Sequence, residues 1–84
     1  MNTDNANHLY EELQNIRITY VPAGDRQDAK NWAGSDVIRI QSYKTETDKS
    51  LHMGAELPVP NPDVFVEMIS KLCSVYNAGR TGTP

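Results

Sequence analysis

Eighty-four residues, 38% of them apolar and 23% charged, make one small domain, because a chain this short hides only about 60 to 65% of its unfolded surface and cannot divide into two cores. Eleven acidic against eight basic residues leave a formal charge of −3, which speaks against a general DNA or RNA binder, whose basic face must displace counterions from phosphate. A single cysteine excludes an internal disulfide, and no apolar run nears the roughly 18 residues of a membrane span, so the expected protein is soluble, cytoplasmic and without a membrane partner.

Met1 to Asn7 are polar and, with residues 80–84, are expected as loose ends of the single domain 1–84. They carry neither the basic nor the apolar region of an export signal. Leu9, Leu13 and Ile16 then recur at helical spacing behind the potential caps Asp4, Asn5 and Asn7. Ile16, Ile18 and Tyr20 alternate with Arg17, Thr19 and Val21 as in a half-buried strand. The pattern predicts a short helix over about residues 7–14 that runs into a strand near 15–21.

Pro22 to Asp25 ends this strand with turn-forming residues, and the next strand signal begins at Asp36. The intervening connection is long for a compact domain, and ordered long loops tend to carry function. Arg26 to Trp32 is expected to form a helical turn within it. Trp32, in a polar stretch, is either a lid over the open end of the core or an anchor for a partner, since tryptophan is enriched at binding hot spots.

Val37 to Tyr43 is rich in β-branched residues, and Leu51, Met53, Ala55 and Leu57 alternate with His52, Gly54 and Glu56. These are two further strands, joined as an antiparallel hairpin through the charged loop Lys44 to Ser50, whose flanking lysines discourage edge-to-edge aggregation. Pro58-Val59-Pro60 ends the pairing. Asn61 is a good N-cap, Pro62 suits the first helical position, and Asp63 complements the positive end of the helix dipole. A helix follows, with Asn77-Ala78-Gly79 as its stop.

The predicted fold class is therefore α+β: a three-stranded antiparallel sheet, a short N-terminal helix, and a C-terminal helix packed on one face of the sheet. Its expected core is Ile16, Ile18, Tyr20, Ile38, Ile40, Leu51, Met53, Leu57, Phe65, Met68, Ile69 and Leu72. On the C-terminal helix the apolar arc spans roughly 200°, twice the stripe that a helix lying on a core needs. Val64, Val66 and Val75 on its flanks are the candidate oligomer interface, and a homodimer would hide them.

The chemistry-bearing residues read as structural. Cys73 sits on the apolar side near the negative end of a helix, where a reactive thiolate is disfavoured. His8 and His52 lack the short ligand spacing of a metal site. Glu11, Glu12, Asp25, Asp28, Asp36 and Glu56 lie in polar runs rather than in an apolar setting that would separate their proton affinities. The glycines and serines match no phosphate loop, dinucleotide fingerprint or nucleophile elbow. No catalytic residue, metal or cofactor is expected.

Arg39, Gln41 and Tyr43 on the outward side of one strand, with His52 and Glu56 from the next, mix cationic, aromatic and amide groups as protein interfaces do. With Trp32 they form the candidate partner-binding set. The sequence thus reads as a non-enzymatic regulator or inhibitor that occupies a site on a larger macromolecule, in the manner of small acidic accessory proteins of phages and other mobile elements. Two alternatives are a small-ligand carrier with its pocket near Trp32 and a homo-oligomeric structural subunit.

Overall fold

A computed structural model describes residues 1–25, 32 and 34–82. The chain is α+β, with an antiparallel sheet followed by a C-terminal helix, but the sheet has five strands and residues 7–14 are not helical. The strands are β1 (Asn2–Thr3), β2 (Leu9–Leu13), β3 (Ile16–Val21), β4 (Val37–Ser42) and β5 (Ala55–Pro58), paired in chain order. A 3-10 turn covers Ala23–Asp25, and the helix α1 spans Pro62–Thr81. The expected helical turn over residues 26–32 lies outside the described residues except for Trp32.

The N-terminal segment departs most from its sequence pattern. Asp4 organises a tight turn: its carboxylate accepts from the backbone N–H groups of Ala6 and His8, both at 2.9 Å, while its own N–H donates to the His8 carbonyl at 2.9 Å. Local bonding of this kind is how aspartate competes with helix formation. Residues 2–3 pair with residues 9–10, and β2 meets β3 through the two-residue turn Gln14-Asn15, with Leu13 opposite Ile16. Gln14 adopts φ 54°, a left-handed conformation in which glycine or asparagine is usual. Leu9, Leu13 and Ile16 therefore share one face of a hairpin, although their spacing also fits a helix.

The second correction is a β-bulge. Ile40 stands opposite Ala55, whereas Tyr43 stands opposite Leu51, so three residues of one strand face two of the other. Gly54 permits it, because a methyl group there would collide with the Ile40 carbonyl. The extra residue breaks the alternation on which a continuous strand over 51–57 depended. Leu51 and Leu57 consequently lie on opposite faces, and Met53 is expelled to 99% exposure.

Register also decides which face is inside. Val21 pairs with Val37, which pairs with Pro58; Thr19 pairs with Arg39, and Arg39 with Glu56. Val21, Val37, Thr19 and Tyr43 all belong to this face and, with Val59, are the buried residues among those described. The opposite face carries Ile16, Ile18, Tyr20, Ile38, Ile40 and Leu57, all expected in the core. None of them is buried, and Tyr20 is exposed.

The helix explains the inversion. Asn61 caps it as expected, its side-chain oxygen accepting from the Val64 N–H at 2.9 Å, with Pro62 in the first turn. No helix residue is buried: Val64 and Met68 are half-buried, while Phe65, Ile69 and Leu72 are exposed rather than in the core. Beyond its first turn, α1 does not lie on the sheet. It also runs past Gly79, expected as its stop, to Gly82, whose φ of 74° provides the left-handed cap.

Candidate functional site

The covered face of the sheet holds a polar network. The Arg17 guanidinium lies 4.0 Å from the centre of the Tyr10 ring and 5.4 Å from that of Tyr43, and donates to the Tyr43 hydroxyl at 2.9 and 3.1 Å. The Tyr43 hydroxyl in turn donates to Glu12, and the Lys49 ammonium sits 4.8 Å from the Tyr43 ring centre. Hydrogen bonding to the Glu12 carboxylate, reinforced by burial, raises the Tyr43 pKa, and the Arg17 charge partly opposes this. Register brings Arg17, Glu12 and Tyr10 together, since Glu12 is paired with Arg17 and Tyr10 with Thr19.

The expected binding set occupies the same part of the fold but is engaged within it. Arg39 grips one Glu56 oxygen through Nε at 2.9 Å and Nη2 at 2.8 Å. Gln41 donates to the His52 carbonyl at 3.2 Å. Tyr43 is buried, not outward, whereas the His52 side chain is exposed. Trp32 is 47% exposed with φ 65°. Arg39, Gln41, Tyr43 and Glu56 thus share one face with His52 at its edge, and their polar groups mostly satisfy one another.

His8 ties the N-terminal turn to the segment after β3. Its Nε2 lies 2.9 Å from Asp25 and its Nδ1 lies 3.7 Å from Asp4. The sequence showed only that His8 lacks the spacing of a metal ligand; in the fold it is half-buried beside β2. No group of three or more potential ligands capable of holding a metal occurs among the described residues.

A concave feature lies on the opposite face, where the proline-rich segment turns into α1. Tyr20, Ile38, Val59, Pro60 and Phe65 wall an open groove of about 520 Å³, with Asp36 and Asn61 as its polar groups. Asp36 is firmly held there. It accepts from the Tyr20 hydroxyl and, at 2.8 Å, from the Ala23 N–H. The Tyr20 bond, then the backbone bond, holds its carboxyl below the usual aspartate range, and the same bond raises the pKa of Tyr20. Volume and apolar lining suit one or two apolar side chains or a small molecule.

Next to the groove stands the open side of α1. Leu72 is 54% exposed, Tyr76 66%, Val66 64% and Val75 72%, while Val64 is half-buried. Cys73 is exposed and unpaired. Among the described residues no helix is long and apolar enough to cross a membrane.

Compared with known proteins, the chain matches no family model, no curated protein and no solved structure.

Proposed function

We propose that the protein is a small acidic, non-enzymatic binding protein of the cytoplasm, which regulates or inhibits a larger macromolecule by occupying one of its sites. One observation carries this reading: an apolar groove opens directly beside the exposed side of α1. Contiguous apolar surface rimmed by polar groups is the usual mark of an interaction site. Phe65 belongs to both features and is the proposed anchor, a role in which aromatic residues are enriched. The net negative charge favours a partner with a basic surface, because long-range attraction raises the encounter rate and weakens with salt. The partner is therefore a protein, with phage and mobile-element accessory proteins as the analogy in size and charge.

In the expected binding set, His52 and Trp32 remain the exposed groups on which a partner can draw. The test is capture of the partner on immobilised protein, its identification by mass spectrometry, and a binding titration with wild type and Phe65→Ala. Binding should weaken by about 2 kcal/mol or more in the variant, as for a hot-spot aromatic. Equal affinity of wild type and Phe65→Ala would remove the groove from the interaction.

A small-ligand role is the second reading, supported by a groove volume within the range of ligand sites, roughly 300 to 1,000 Å³. The groove lies apart from the pocket expected near Trp32, which does not line it, so small-molecule binding that is lost in Phe65→Ala, with no macromolecule retained, is the result that would favour this reading.

A further inference from the structure

Two apolar surfaces are left incompletely covered on the same chain: the outer side of α1, where Phe65, Ile69, Leu72 and Tyr76 are exposed, and the sheet face around Ile18 and Ile40, which is half-buried. The surplus is measurable. The accessible surface is 6454 Å², some 1,400 Å² above the roughly 5,000 Å² of a compact monomer of this mass. The radius of gyration is 14.6 Å, against about 12 Å for a compact chain of 84 residues.

The link between β5 and α1 keeps the two surfaces apart. Pro58, Pro60 and Pro62 restrict the backbone through it, and the Val59 N–H donates to the Asp36 carbonyl at 2.9 Å, fastening the segment to the start of β4. Short, stiff links of this kind favour exchange of an element between copies over closure within one.

We propose that the protein is a homodimer in which α1 of each copy covers the Ile18–Ile40 face of the other copy's sheet. Each chain carries both halves of the contact, so a two-fold axis closes it, as isologous dimers require. The surplus of two chains together is nearly 3,000 Å², comparable with the roughly 2,000 to 5,000 Å² that obligate homodimers hide. A second copy also fits better than a foreign protein, because the described residues bury only Val21, Val37, Tyr43 and Val59 among apolar side chains. So small a core needs its cover whenever the chain is folded, and only another copy is always at hand.

The dimer contact takes in the Phe65 side of α1 and the sheet face beside the groove, the surface that the proposed function also uses, so a second copy and a foreign partner compete for it. Light scattering on the pure, full-length protein should give twice 9.4 kDa. Leu72→Glu on the helix and Ile18→Glu on the sheet should each weaken association by about 100-fold or more, since each would bury an unpaired carboxylate in the contact. Mixing the two variants should restore a heterodimer, because one intact helix again meets one intact sheet. With the wild type, the urea midpoint should rise with protein concentration from about 1 to 100 µM, a measurement that needs no variant to fold. A mass of 9.4 kDa with a concentration-independent midpoint would overturn the dimer, and an Ile18→Glu protein that stays fully dimeric would overturn the exchange. A monomer that still holds a macromolecular partner removes only this inference, whereas a dimer that holds none removes only the proposed function.

Discussion

Asp36 is the residue on which several parts of the fold converge. Its side chain holds Tyr20 of β3 and the Ala23 amide, and its backbone carbonyl holds Val59. The side-chain bonds lower its pKa in the folded state, so their contribution is complete above about pH 4, the ordinary aspartate value, and is lost as pH falls through the lowered one. Tyr20 acts in the opposite sense: its raised pKa makes the contribution complete below about pH 10 and lost above that. Asp36→Asn should therefore flatten the acid limb of a melting-temperature profile between about pH 5 and pH 2. An unchanged acid limb would show that other carboxylates set it. At Gly54 the constraint is steric, and Gly54→Ala should destabilise by about 1 to 3 kcal/mol in urea denaturation, because the Ile40 backbone must move to admit the methyl group. Neither role was legible beforehand. Asp36 looked like one of several solvated acids and Gly54 like an ordinary strand position, and both acquire their partners only through register.

Among the elements, α1 was the most legible. Asn61, Pro62 and Asp63 act through bonds and dihedral angles within four residues of one another, so tertiary context had little to overrule. Its end was less clear, because glycine inside a helix costs only about 1 kcal/mol and Gly79 could be absorbed once Gly82 supplied the left-handed cap. The N-terminal hairpin was hidden for a related reason. Its turn, Gln14-Asn15, lacks the glycine that announces such turns, and Leu9, Leu13 and Ile16 satisfy a helix and a hairpin equally. Gln14→Gly should stabilise the protein by roughly 0.5 to 1 kcal/mol, since glycine relieves the left-handed strain that a side chain suffers there. Denaturant titration with no gain in midpoint would argue that Gln14 is not strained in solution. In the β4–β5 hairpin the first strand was foreseen, but the second, expected over 51–57, is confined to Ala55–Pro58 with Leu51 in an isolated bridge. Pro58, expected to end the pairing, stands opposite Val37. The bulge around residues 52–54 leaves no trace in a pattern of alternating apolar positions.

For the whole molecule, the open question at the sequence level was where the surplus apolar surface goes. The helix arc was seen to be too wide, and Val66 and Val75 are indeed exposed in the single chain. The sheet face expected beneath the helix is only half-buried, and under the proposed exchange α1 would serve as a cover beyond its own sheet. Ending the chain at Asn61 should then abolish cooperative urea unfolding, although α1 hardly touches its own strands. Retention of the full unfolding transition would mean that the sheet is self-sufficient. The α+β class, the N-cap of α1, strand β4 and the excess of apolar surface could be read from the sequence because each depends on neighbours along the chain or on simple periodicity. Which sheet face is enclosed, the pairing of Arg39 with Glu56, the inward position of Tyr43 and the separation of helix from sheet depend on strand register and on the stiff proline segment. They became visible only in three dimensions, because a shift of one residue moves every side chain of a strand to the other face.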